Sequence, residues 1–349
     1  MTRWTVRGTL LSGLVAAGVA LLPGPASAAT ELTVIVYGGS FEAGWKKAVI
    51  EPFEAANPDI KVRIATGLTM ETVAMMRAQK GDPKIDVVMM DEVGAAQANG
   101  EGLYQPLDLN TVPNMAKLYP QFRISGDPYT KFMYVSQVIA YDKNKVKTAP
   151  QSYQDMWKPE YKGKVSIPDI NTTHGTMLLM MAAGMNGGNV TNIDPGFAAI
   201  KNLKPSILTF WNQHAQVSQL FTQGDIVMTT WTSDRAQGLI DGGGNIGWTI
   251  PKESAYIIDS TIGIAKGTKN LAAAQKYINF VLSEKAQEAN ARFTYLTPVN
   301  RDAKLDAATA AKLPAGEATL KRLLTADWAA VTKERPKWVD RWNREITTP

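Results

Sequence analysis

Three short apolar runs separated by helix-like segments constrain this chain more than any other feature. Residues 32–37 (LTVIVY), 60–65 and 85–90 are rich in Val, Ile and Met. Between the first two, Trp45, Val49, Phe53 and Ala56 recur at helical spacing, which predicts a helix over 41–56, stopped by Asn57-Pro58-Asp59. Residues 69–79 read as a second helix. A β-α-β-α-β opening implies parallel strands with helices over both faces, because parallel neighbours need a crossover connection. In open sheets of this kind a ligand sits just beyond the carboxyl ends of the strands.

The residues at those ends are polar and varied. Tyr37 closes the first run, and Gly38-Gly39-Ser40 follow it. That turn offers backbone N–H groups at a helix start, which suit an anion or simply cap the helix. Asp91 and Glu92 follow the third run. Residues 132–141 read as a strand that crosses into a second domain. There, 165–167 ends at Pro168-Asp169, and the helix expected over 173–185 is apolar on all sides and so buried. Helix and strand alternate again through 194–203, 206–210, 217–223 and 226–231. The last run ends on Trp231, followed by Thr232, Ser233, Asp234 and Arg235. A large aromatic beside charged groups suits a small-molecule cleft. Residues 246–250 and 256–265 are further strands, the second interrupted by Asp259, Ser260, Thr261 and Gly263. An unpaired buried carboxylate is costly, so Asp259 is expected at a strand edge or facing a polar cavity. Helices over 271–282 and 284–293 precede a loop carrying Tyr295, and the tail 316–346 is helical. Trp328, Trp338 and Trp342 there read as packing residues.

The first residues give an address. Arg3, Arg7, an apolar run over 10–22 and Ala26-Ser27-Ala28 make 1–28 a secretory signal peptide, so the chain is expected to be exported. No later run is long and apolar enough to span a bilayer. Without cysteine, the core must hold the exported protein together, and roughly 320 residues are enough for two domains. The formal charge of +5 falls to +3 once the two signal-peptide arginines leave, with no basic stripe, so nucleic acid is not an expected partner. His174 and His214 stand in unrelated sequence contexts, and no metal or cofactor site is expected from them. No phosphate loop with its Lys, no HExxH and no GxSxG is present, so no catalytic residue is assigned.

Several blocks carry a family resemblance: LTVIVYGGSF, IEPFEAANPDIKV, IDVVMMD, SYQDMWKPEYKGKVSIPD, GDIVMTTW, IPKESAYIIDSTIGIAKGTKN, AQKYINFVLS and YLTPVN. Together they resemble the periplasmic solute-binding proteins of ABC importers, in particular the polyamine-binding branch. The resemblance implies an α/β, two-lobed periplasmic-binding-protein fold of type II. Each lobe would be a mainly parallel sheet flanked by helices, with a ligand cleft between lobes. It implies one lobe from 29–135 plus 259–304 and another from 136–258 plus 305–349. It also implies a periplasmic monomer that passes a small solute to an ABC permease. By position, Trp231 matches a tryptophan that stacks on ligand methylenes, Asp259 a carboxylate that pairs with a ligand ammonium, and Tyr295 a cleft tyrosine. Tyr37 to Ser40 match the first ligand-contacting loop.

There are departures. Ile170-Asn171-Thr172-Thr173 follow Asp169 where the family has further acids. Ile257-Ile258 replace an aromatic, Asp91-Glu92-Val93 replace a tyrosine, and Arg235 adds a cation. Two ligand charges therefore stand open. A cationic amine would use Asp259, Asp91 or Glu92, with Trp231 and Tyr37 supplying cation–π contact. An anion would use the N–H groups of Gly39-Ser40 together with Thr173 and Arg235. The competing class is a secreted hydrolase, which needs a nucleophile, a base and an orienting group within reach.

Overall fold

A computed structural model describes residues 1–5 and 29–347. Most of the expected signal peptide, 6–28, lies outside the described residues. Among the described residues no helix is long and apolar enough to cross a membrane.

The opening alternation is present. β1 (Thr30–Val36) leads to α1 (Ser40–Trp45), a wider π turn over Lys46–Ile50 and α2 (Glu51–Ala56). The helix expected over 41–56 is thus continuous but not uniform. Pro52, in the first turn of α2, has no N–H to give to the turn before it, and the widened turn precedes it. β2 (Ile60–Thr66), α3 (Thr69–Ala78), β3 (Val87–Asp91) and α4 (Glu92–Gly100) complete the unit. Residues 104–119 contain the two-residue β4 (Tyr104–Gln105) and a 3-10 turn.

β5 (Thr130–Asp142) is the long crossing strand, three residues longer than the run read from sequence. It changes partners midway. Ser136 and the residues before it pair with β10 (Ile257–Ala265), whereas Gln137 and those after it pair with β8 (Met228–Thr232) and β9 (Ile246–Thr249). Before β8 come β6 (Val165–Pro168), α5 (Thr173–Met185), α6 (Asp194–Leu203), β7 (Ile207–Trp211) and α7 (His214–Gln223), and α8 (Ser233–Asp241) follows it. β10 is succeeded by α9 (Leu271–Val281), α10 (Glu284–Thr294), β11 (Thr297–Pro298), α11 (Ala307–Ala310), α12 (Glu317–Leu320) and α13 (Trp328–Trp342).

The pairings repeat. In the first half the order is β2-β1-β3-β10-β5, and in the second it is β7-β6-β8-β5-β9. Each half has three parallel strands in the order second, first, third, then an antiparallel strand that has crossed from the other half. The carboxyl ends of both parallel sets consequently face the region where the chain crosses.

Packing follows the sequence. α5 is buried from Gly175 through Ala183, as its apolar surface on all sides requires. A Cβ at Gly175 would meet the Asp169 carbonyl oxygen at 2.1 Å, so only glycine lets α5 start this close to the turn after β6. Trp328, Trp338 and Trp342 are buried packing residues.

Candidate functional site

The site grows from five of the parallel strands' carboxyl ends. After β1, Gly39 takes a left-handed φ of 74° and starts α1. Asp91 is the last residue of β3 and Glu92 the first of α4. The equivalent positions in the second half are Asp169 after β6, His214 opening α7 after β7, and Ser233-Asp234-Arg235 opening α8 after β8.

A cavity of about 480 Å³ lies between the halves. Gly39, Phe41, Phe293 and Tyr295 line it from the first half, and His214, Trp231, Asp234 and Arg235 from the second. Four of the sequence-predicted residues meet there: Gly39, Trp231, Arg235 and Tyr295. Tyr37, Asp91, Glu92, Asp169, Thr173 and Asp259 are not among the described residues that line it. The Asp169 carboxylate instead accepts from the Asn171 backbone N–H at 2.9 Å and its side-chain amide at 2.8 Å, closing the turn into α5. Ser40 opens α1 beside Gly39.

The strand ends of the first half carry acids that lie outside this lining. The Tyr37 hydroxyl donates to Asp91 Oδ1 at 3.0 Å and approaches Ser260 Oγ at 3.4 Å. Burial raises the Asp91 carboxyl above its ordinary range, the Tyr37 and Thr69 hydrogen bonds pull it back, and the charge of Asp234 in the other half raises it again. Burial, and then Asp91 itself, hold the Tyr37 phenol well above its usual value.

Next to Asp91 and Ser260 sits an ion triad that corrects the expectation for Asp259. That carboxylate does not stand open to a ligand. Its Oδ2 lies 2.7 Å from Lys131 Nζ, and the same ammonium lies 2.8 Å from Glu92 Oε2. Burial raises Asp259 to about 7, with Lys131 lowering it and Glu92 raising it again. Burial alone would lower the Lys131 ammonium, but Asp259 and Glu92 outweigh it and hold it above its ordinary value. The sequence reading passed over Lys131. The available signal was one lysine inside an apolar strand, a position that demands a buried partner.

The second-half wall is aromatic. Trp231 is 1% exposed, so only an edge of it reaches the cavity, and its Nε1 donates to His214 Nδ1 at 2.9 Å. The ring of His174 lies 5.1 Å from that of His214 and 5.3 Å from that of Trp211. The two histidines, unrelated in sequence, are therefore neighbours, because one opens α5 and the other opens α7 at adjacent strand ends. Burial lowers both to about 3, so both are neutral at ordinary pH, and the accepting Nδ1 of His214 fits that state. Beside them, Asp234 Oδ2 lies 3.4 Å from Arg235 Nε, while Asp234 Oδ1 is buried with no partner. Gln137 Oε1, His174 Nδ1 and Thr232 Oγ1 are likewise buried and unpartnered around the crossing strand. Such groups cost free energy until something hydrogen-bonds to them.

Tyr295 closes the mouth of the cleft. It ends α10 with a left-handed φ of 58°, and its hydroxyl donates to Asp241 Oδ2 across the cleft at 2.7 Å. Lys312 Nζ reaches the same oxygen at 2.5 Å and lies 5.7 Å from the Tyr295 ring centre. The phenol, raised to about 12 by burial and then by Asp241, is thus engaged by protein.

Comparison with known proteins agrees with this architecture. Residues 48–316 match the family described as bacterial extracellular solute-binding protein. The γ-aminobutyric acid-binding protein of Pseudomonas aeruginosa is 25% identical, covering 81% of each chain. The spermidine/putrescine-binding periplasmic protein 1 of Haemophilus influenzae is 24% identical over 66% of this chain and 65% of its own. The crystal structure of an ABC transporter from Clostridium perfringens superposes with a TM-score of 0.78 at 26% identity, covering 90% of this chain and all of that one.

Proposed function

Because the chain belongs to the bacterial extracellular solute-binding proteins, receptors rather than enzymes, we propose that it captures a small solute with a cationic amine at one end and an acidic or strongly polar group at the other, and delivers it to an ABC permease. The amine would lie between Asp91 and Asp234, against the edge of Trp231. The other end would meet Arg235 and the N–H groups at Gly39-Ser40. Closure of the two lobes would hinge where β5 changes partners, between Ser136 and Gln137.

One observation carries this reading. The charge of Asp234, in the second half, adds to the cost of ionising the buried Asp91 carboxyl in the first. Around the cleft, Asp91, Glu92, Asp234 and Asp259 outnumber Lys131 and Arg235, and both histidines are neutral. A cation placed between the lobes relieves that excess, and it does so only when the lobes are closed. The solute would then have the differential affinity that closure requires. A purely anionic solute would add to the excess. Of the relatives named above, both bind amines by name, and one of those solutes also carries a carboxylate.

The test is a thermal-shift and calorimetric survey across amines, amino acids and carboxylates. A single-site ligand at a hundred times its Kd stabilises the folded receptor by about 2.7 kcal/mol. Aminated acids are expected to raise the melting temperature most. A response confined to simple carboxylates would overturn the reading.

A further inference from the structure

We propose that Lys131 is a built-in counter-ion that fills a second ammonium seat behind the cleft wall, so that the receptor admits a solute with one ammonium group and rejects one with two. This rests on the amine reading above and deepens it.

Three observations support the inference. First, the seat has the composition of an ammonium site. Lys131 Nζ lies within 2.7 Å of Asp259 and 2.8 Å of Glu92, and Asp259 Oδ1 is buried with no partner. One cation is therefore shared by two carboxylates, and one acceptor oxygen is left over. Secondly, the seat adjoins Asp91, which the amine reading places against the solute. Asp91 and Ser260 pair in register; Asp91 accepts from the Tyr37 hydroxyl, and Ser260 Oγ lies 3.4 Å from it. Glu92 and Asp259 are their immediate chain neighbours. Glu92, at 17% exposure against 7% for Lys131 and 4% for Asp259, is the least covered of the three. Thirdly, stability alone is a weak reason to keep three charges here. Replacing a buried ion cluster with packed apolar side chains is often neutral or stabilising. A triad retained beside a binding wall is better explained by what it excludes. A second ligand ammonium arriving at this wall would find both carboxylates engaged and would meet a fixed like charge.

The experiment compares the protein with Lys131→Met, using 4-aminobutanoate and putrescine as probes in isothermal titration. Methionine keeps most of the apolar stem and vacates only the ammonium position. The native protein is expected to bind putrescine at least tenfold more weakly than 4-aminobutanoate. Lys131→Met should gain at least tenfold in putrescine affinity, and adding Asp259→Asn should remove that gain. Should Lys131→Met not fold by circular dichroism, the pair Lys131→Met with Glu92→Gln keeps the net charge of the triad and still opens Asp259, so the same gain is expected there. The proposal is overturned if the native protein binds putrescine as tightly as 4-aminobutanoate, or if a folded variant gains no putrescine affinity. Failure of every amine to bind the native protein would instead sink the amine reading, and a gain in the variant would still be measurable.

Discussion

In the first half of the sheet the strand ends carry Asp91 and Glu92, with Asp259 and Lys131 close behind. In the second half they carry Trp211, Trp231, His174 and His214. The two halves share a strand order, so the difference comes from side chains and not from topology. Charge is concentrated at the strand ends of one half, where Lys131 offsets part of it and Asp91 is bonded to Tyr37. The opposite wall is held in shape by ring packing and one indole-to-imidazole hydrogen bond, with Asp234 and Arg235 at its lip. A duplicated scaffold can thus supply electrostatic selection from one side and shape from the other.

If that division holds, the aromatic wall should fail first in stability and the acidic groups first in affinity. Trp231→Ala removes a side chain that is 1% exposed and orphans His214 Nδ1, so it should cost about 3–5 kcal/mol in unfolding free energy, read from a denaturation midpoint. Trp231→Phe should recover most of the packing term but not the hydrogen bond. If Trp231→Ala left stability unchanged and removed only binding, the indole would be an open ligand platform, and the contrast between the walls would collapse.

The next effect in size falls on affinity. Asp234→Asn removes a charged acceptor from the cleft and should weaken binding of an aminated solute by about 1.5–3 kcal/mol, or roughly ten- to a hundredfold in Kd by calorimetry. Asp259→Asn should weaken it less, because Lys131 already holds that carboxylate. The reverse ranking would mean that the triad opens to take the amine directly.

The contrast also separates what could be read from residue order from what could not. The strands are legible because β-branched runs and helical spacing are local signals. The cavity gathers Gly39 and Arg235, which come after strands, Trp231, which ends one, and Tyr295, which the family resemblance singles out. What stayed hidden was pairing. Asp259 and Lys131 are 128 positions apart, so a carboxylate that looked available was already bonded. His174 and His214 look unrelated until parallel pairing of β6 and β7 puts the starts of α5 and α7 side by side. Tyr295 was recognised by its position, but its hydroxyl is held by Asp241, which no spacing indicates.

Acid should act on the two walls in opposite directions. His174 and His214, lowered to about 3, do not take up protons in the fold between roughly pH 6.5 and 3, whereas the unfolded chain does. Their contribution is present above the unfolded value and is lost as pH falls, by up to about 1.4 kcal/mol per pH unit for each imidazole. Asp259, raised to about 7, has the opposite sign. Below that pH the folded chain keeps a proton that the unfolded carboxyl releases down to about pH 4, so its contribution grows as pH falls. Melting temperature should therefore drop from pH 7 to 5 less steeply than two buried imidazoles alone would give. His214→Gln should flatten the profile and Asp259→Asn should steepen it. Identical slopes in all three proteins would show that neither wall titrates in this range.

The smallest expected effect belongs to the contact that joins the walls. Tyr295→Phe removes the hydroxyl that donates to Asp241 at 2.7 Å, but leaves the Lys312–Asp241 pair at 2.5 Å. Both members of that pair are partly exposed, so solvent screens the interaction, and the loss should be about 0.5–1 kcal/mol. The contact is made only with the halves together, so its loss should appear as a shift toward an open form and not as unfolding. Small-angle scattering of the unliganded protein should give a slightly larger radius of gyration, with ligand affinity reduced about two- to fivefold and the melting temperature almost unchanged. An unchanged radius together with a lower melting temperature would mean that Tyr295 braces the end of α10 within its own half. The acidic and aromatic walls would then be held together by the solute and the crossing strands alone.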